Sequence, residues 1–287
     1  MGKRFDIMLW PDGLKKAFTL SYDDGVIQDR RLVELLNNFG IKATFNINYG
    51  LLGQQQIVNA PNHRPVDVSK INKEEVVSLY RNHEVAGHGL YHSSLVGIKS
   101  PLVMYEITED KRALEKLIEK PLQMFAYPFG FFNEEVKIIL AKAGYKGART
   151  VVSTGDFNLP DDFLQWNPTC HHNDPKLMEL LKKFVEEFSM SSKLFYLWGH
   201  AYEFDGDDNW QDIEKALEYI AQDKENIWFA TNGEIMDYIW AYNRLEYSVD
   251  GSMIYNPSAV DVYIQTSFGQ TEILKAGELT KIKETPL

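Results

Sequence analysis

Lys16-Ala17-Phe18-Thr19-Leu20-Ser21 is a strand-prone run that leads into Tyr22-Asp23-Asp24-Gly25. Neighbouring strand side chains point to opposite faces, but a strand end relaxes into a loop. Both carboxylates can then turn toward one cavity. Carboxylates that close repel, and they need a cation or a shared proton. Gly25 frees the backbone to turn sharply away. A plain Asp-Gly turn accounts for the same residues, so the surrounding chain has to decide.

The next segment is helical. Residues 28–38 place Leu32, Leu35, Leu36 and Phe39 at helical spacing, and Gly40 stands where a helix C-terminus wants it. Residues 41–47 then read as a second strand. Strand, helix and strand within this length make a βαβ unit and a parallel sheet. The alternation continues with strands at 83–87, 122–127, 145–152, 194–198 and 227–230. Helices are expected at 73–81, 102–120, 133–143, 174–188, 210–221 and 233–245. Seven or eight strands alternating with helices predict an α/β fold closed as a (β/α)7–8 barrel, with its site at the C-terminal strand ends. Residues 48–68 form a long polar loop of the kind that carries function. Residues 246–287 break the alternation with β-prone runs at 260–264 and 272–274. The expected organisation is a barrel over 1–245 and a small β-rich C-terminal appendix over 246–287.

Composition excludes some classes. The 287 residues are 44% hydrophobic and 25% charged, which is ordinary for a globular protein. A net charge of -11 argues against nucleic acid or an anionic membrane as partner. One cysteine, Cys170, rules out an internal disulfide. No stretch approaches bilayer-spanning length. Met1-Gly2-Lys3-Arg4 carries no apolar signal core, so the sequence as given reads as cytoplasmic; removal of a signal would make it periplasmic or secreted. The many aromatic residues weakly suggest sugar platforms.

The polar residues fall on the strand ends. His88 and His92 follow the strand at 83–87, in Gly87-His88-Gly89-Leu90-Tyr91-His92. Histidines at i and i+4 can ligate one metal if the segment turns helically. With an aspartate they suit zinc or another divalent transition metal, with positions left for water. Two surface or capping histidines are the blander account, and the glycine-rich setting after a strand favours ligands. His83 to His88 imitates a zinc-protease signature but has one residue too many. Tyr127-Pro128-Phe129-Gly130 is either an ordinary turn or a rigid loop aiming N–H groups at an oxyanion. His200, between Trp198 and Tyr202, is a candidate general acid or a solvated loop histidine. Asp205, Asp207 and Asp208 read as a solvated acidic loop and helix start. In Cys170-His171-His172-Asn173-Asp174 a helix cap by Asn173 or Asp174 is favoured over a second metal site, with one histidine lining the cleft still open. Asn232 or Glu234 could face the cleft, though Asn232 as a helix cap is the blander choice.

Together, Ser21-Tyr22-Asp23-Asp24-Gly25, His88 with His92, Tyr127-Pro128-Phe129-Gly130 and Trp198-Gly199-His200 resemble the NodB-homology polysaccharide deacetylases, carbohydrate esterase family four, over residues 15–240. The resemblance implies a distorted (β/α) barrel and a divalent metal held by Asp24, His88 and His92. The metal would usually be Zn2+, with Co2+, Ni2+ or Mn2+ as alternatives. It implies Asp23 as the base, His200 as the acid and the Phe129 N–H as oxyanion donor. The substrate class would be N- or O-acetylated sugars, with a small non-sugar amide or non-catalytic carbohydrate binding as the other readings. The family's third motif carries an arginine where this chain has Ala126, and Arg149 is the expected substitute. Gly89 and Trp198 also depart from the pattern, and the aspartate that tunes the acid has no clean match. The departures resemble the deacetylase-like domains found beside gellan lyases.

Overall fold

The computed structural model describes residues 6–59, 65–267 and 269–282. The reading of Met1 to Arg4 lies outside them. Eight parallel strands form one curled sheet: Lys16–Asp23, Thr44–Ile47, Glu84–Gly87, Met124–Ala126, Gly147–Arg149, Cys170–His171, Lys193–Gly199 and Ile227–Phe229. Lys16–Asp23 is the longest and lies between Thr44–Ile47 and Lys193–Gly199. One of its edges is shared. Phe18 pairs with Phe229 near the strand's start, and Ser21 pairs with Thr44 near its end. The curl closes through an isolated bridge between Arg149 and Trp166, and through the Thr169 N–H donating to the Tyr196 carbonyl at 2.8 Å. This is the distorted barrel that the alternation of elements anticipates.

The period-two rule sets the layers. On Lys16–Asp23, Phe18, Leu20 and Tyr22 join the large core shared with Leu32, Leu36, Ile107 and Leu114. Ala17, Thr19, Ser21 and Asp23 alternate with them, and all four are buried. Helix Asp29–Phe39 buries Leu32, Val33 and Leu36 and stops at Gly40, whose φ of 69° lets its N–H close on the Asn37 and Leu36 carbonyls. Burying one such leucine is worth about 2 kcal/mol.

Several elements are shorter than expected. The strand expected over 145–152 is only Gly147–Arg149, because Thr150 already donates its N–H to the Trp166 carbonyl. The helix expected over 73–81 is a 3-10 turn, Lys73–Glu75, followed by Val76–Leu79. The helix expected from 174 runs Leu177–Glu186. Asp174 accepts from the Lys176 N–H at 2.8 Å before that helix begins, and Asn173 does not cap it. The loop at 48–68 contains a hairpin of Ile57–Val58 with Val66–Asp67.

Residues 246–282 contribute strands to two small sheets. Val262–Gln265 sits between Thr271–Leu274 and Ile7–Leu9 from the chain's start. Ile7–Leu9 is tied to the barrel's base, where Trp10 Nε1 donates to the Lys193 carbonyl at 3.0 Å and Tyr238 OH to the Leu9 carbonyl at 2.6 Å. The strand ends carrying Asp23 and Gly199 are at the opposite end. Among the described residues no helix is long and apolar enough to cross a membrane.

Candidate active site

Asp23 closes its strand and is 2% exposed. Its Oδ1 accepts from Asn46 Nδ2 at 2.8 Å, and its Oδ2 accepts from the Arg149 guanidinium. Arg149 is fully buried and lies over the Trp198 ring at 4.4 Å. It therefore stands where the Ala126 position left Asp23 without a partner. His88 Nε2 and His200 Nε2 approach the same Oδ2 at 3.7 and 3.9 Å. Burial alone would raise the Asp23 pKa, but Arg149, then His88 and His200, hold it below the ordinary value.

Asp24 has a φ of 82° and turns its carboxylate from its neighbour's direction. Ligand atoms of Asp24, His88 and His92 lie within 4.8 Å of one another. The donor set passes a chemical test. His88 Nδ1 lies 2.8 Å from the Ala126 carbonyl, to which only a protonated Nδ1 can bond, so the lone pair falls on Nε2. That Nε2 is buried and has no hydrogen-bond partner among the described residues. A buried imidazole oriented this way is what a metal ligand requires. Burial holds the His88 pKa down to about 4, so the ring is neutral. Asp24 also faces Lys70, whose Nζ lies 3.5 Å from Oδ1. Burial opposes ionisation, but Lys70 and the histidines hold Asp24 at about 2.

The histidines do not share a helical turn, as i, i+4 spacing invited. Gly89 has a φ of 77° and His92 one of 55°, so residues 88–92 form a loop. Helix Ser100–Ile118 shapes it with two inward carboxylates four residues apart. Asp110 accepts from the N–H groups of His88 at 3.1 Å and Tyr49 at 2.8 Å. Glu106 accepts from the Tyr91 N–H and the Ser93 hydroxyl, both at 2.9 Å. The Phe129 ring is 56% exposed and packs 4.5 Å from the His92 ring, and Phe129 has a φ of 59° in the 3-10 turn Pro128–Gly130.

His200 is the N-cap residue of helix Ala201–Asp207, and Glu203 completes a capping box with it. Glu203 Oε1 lies 3.2 Å from His200 Nδ1, which leaves His200 Nε2 facing Asp23. Glu203 Oε2 lies 3.2 Å from His171 Nε2 and 3.0 Å from His172 Nε2. These three are spaced closely enough to hold an ion. However, His171 Nδ1 accepts the Asn173 N–H at 3.1 Å, so a neutral His171 presents N–H rather than a lone pair to Glu203. His171 therefore pairs with Glu203 rather than with an ion, and His172 Nε2 lies 3.0 Å from the same oxygen without hydrogen-bond geometry. His172 stacks between Tyr22 and Phe204, and a Cβ on Gly199 would lie 2.0 Å from its Nδ1. Burial works against both ions, yet the three imidazoles hold Glu203 far below the carboxylate range, and Glu203 then Asp23 raise His200.

Three expectations need correction. Asp205 and Asp207 are not in a solvated loop but in helix Ala201–Asp207, where Asp205 accepts from Trp210 Nε1 at 2.7 Å and Gln28 Nε2 at 2.8 Å. Thr231, not Asn232, caps the last barrel helix. Asn232 is buried against Thr19 and Tyr196, and Glu234 pairs with Lys42. Neither reaches the cleft, because Phe229 registers with Phe18, roughly 16 Å along the strand below Asp23.

Beside the Asp24, His88 and His92 cluster opens a cavity of about 550 Å³, with Lys70, Tyr91 and Tyr202 in its lining. Sequence reasoning missed Asn46, Lys70, Glu106, Asp110 and Glu203. Two signals were present: Glu203 three residues after His200, and paired acids on an otherwise core-facing helix stripe.

Residues 11–148 match the family model described as polysaccharide deacetylase. That part of the chain is similar to this family. No curated protein sequence matches the chain. Among solved structures, a candidate polysaccharide deacetylase from Mycobacterium smegmatis aligns with a TM-score of 0.59 at 18% identity, over 83% of this chain and 94% of that one. Wild-type BA3943 from Bacillus anthracis, described as a CE4 family pseudoenzyme, aligns at 0.50 and 16% identity, over 79% of this chain and 66% of that one. The Streptococcus pyogenes deacetylase PplD aligns at 0.44 and 20% identity, over 51% of this chain; the chain spans 61% of its length. The first of these supports the deacetylase barrel as the fold.

Proposed function

We propose that this protein is a metal-dependent hydrolase of the polysaccharide deacetylase family that removes acetyl groups from N- or O-acetylated sugars. The observation that carries the reading is the unpartnered, buried His88 Nε2, oriented toward Asp23 and grouped with Asp24 and His92. A divalent metal, zinc by preference, held by Asp24, His88 and His92 would polarise the acyl carbonyl and lower the pKa of water so that it gives up a proton near neutral pH. Asp23 is placed to accept the proton of the attacking water. Arg149 and Asn46 fix both its oxygens and keep it anionic. The Phe129 N–H donates to the developing oxyanion. His200, protonated at Nε2, gives its proton to the departing amine or alcohol.

The test is acetate release from acetylated chitooligosaccharides and acetylxylan. We expect about one equivalent of divalent metal per chain, loss of release on chelation and its recovery on adding metal. Protein without metal, together with an Asp24→Ala variant of unchanged activity, would overturn the reading. The non-catalytic alternative drew its support from Ala126 in place of arginine, and the contact of Arg149 with Asp23 favours the catalytic reading over it.

Glu203 gives a pH-dependent prediction. It raises the His200 pKa, so the protonated acid persists to higher pH. Glu203→Gln removes the negative charge, and the alkaline limb of the kcat/KM profile moves to lower pH. A profile that keeps its alkaline limb unmoved would show that Glu203 only caps the helix.

A further inference from the structure

Three carboxylates of the cleft each face a cation before any metal is counted. Asp23 has Arg149, Glu203 has His200 at 3.2 Å, and Asp24 has Lys70 at 3.5 Å. Lys70 is held in place by its backbone: its N–H donates to the Gln54 carbonyl at 2.9 Å, and Val26 bridges to it. Its side chain is 9% exposed and cannot withdraw into water. The Asp24 oxygen that faces Lys70 is the same Oδ1 that faces His92 at 3.7 Å. A divalent ion held by Asp24, His88 and His92 would add two positive charges beside this ammonium. The cavity wall would then carry an excess of positive charge.

Among the described residues, Lys70 is the one lysine or arginine in the lining of the 550 Å³ cavity. Of the two other acids there, Glu203 faces His200, and Asp207, which accepts from Asn173 Nδ2 at 2.9 Å, offsets only one of the two charges a divalent ion would bring. Around Lys70 the wall is Leu51, Val58, Val66 and Val68, with Gln56 as its uncharged polar member. The apolar side chains of this wall offer no competing charge to a ligand at Lys70. We propose that Lys70 recognises a carboxylate on the substrate, so that acetylated acidic sugars of the uronic type are preferred over neutral ones. This rests on the deacetylase reading and names its substrate class.

The test pairs two measurements on metal-loaded protein. The first is kcat/KM for acetate release from an acetylated oligosaccharide containing glucuronic acid, against its neutral glucose counterpart. The second is calorimetric binding of glucuronate against glucose. One charge-assisted contact predicts a preference of roughly tenfold for the acidic partner in both. Lys70→Met should bring both ratios near one, while Lys70→Arg keeps most of the preference. A wild-type protein without preference, or a Lys70→Met variant that retains it, overturns the proposal. If neither oligosaccharide releases acetate, the deacetylase reading fails, and the glucuronate measurement still decides the role of Lys70.

Discussion

Asp23→Asn lowers kcat for acetate release by about 10²–10⁴-fold, the range set by loss of a general base. Two features make this loss specific. Asp23 is not among the grouped ligand atoms, so metal content should stay at one equivalent per chain, as measured by emission spectrometry. Its two oxygens also have separate donors, Asn46 and Arg149. An asparagine must turn its NH2 against one of them, so the variant cannot keep both contacts. A variant that kept wild-type turnover with bound metal would remove Asp23 from the proton transfer. Asp24→Ala makes the contrasting case, since it should lose metal and activity together.

Arg149→Met is the second large effect, and it appears in stability as well as in rate. The substitution leaves the Asp23 carboxylate buried with Asn46 as its hydrogen-bond partner. Removing one partner of a buried ion pair costs about 3–5 kcal/mol, readable as a lower urea midpoint at neutral pH. The pH dependence has a definite sign. Arg149 helps hold the Asp23 pKa below its ordinary value, so its stabilisation is present above the unfolded pKa and is lost as pH falls through the folded one. The gap between wild type and variant should therefore close in acid, where Asp23 is protonated in both. In the variant the Asp23 pKa rises, and the acid limb of kcat/KM moves to higher pH. Equal midpoints at neutral pH, with an unmoved acid limb, would make Arg149 a bystander.

Much of the barrel was readable in the chain, and the reasons are local. Leu32, Leu36 and Gly40 announce a helix and its stop, and the apolar run before Asp23 announces a buried strand. Local periodicity does not carry register. The shared edge of Lys16–Asp23 placed Ile227–Phe229 beside the strand's start, and with it Asn232 and Glu234 away from the cleft. Strand ends were uncertain for the same reason: Thr150 leaves its strand because Trp166, sixteen residues on, takes its N–H.

The alternation of elements, the strand-end carboxylates and the spacing of His88 and His92 were legible along the chain, because they depend on residue order and side-chain chemistry. Folding in three dimensions settled what stands around them. Arg149 comes to Asp23 from 126 residues away, Asn46 from 23 and Lys70 to Asp24 from 46. Glu203 gathers imidazoles from two strand ends. Charge pairing inside a barrel is a property of distance through space, and residue spacing along the chain does not contain it.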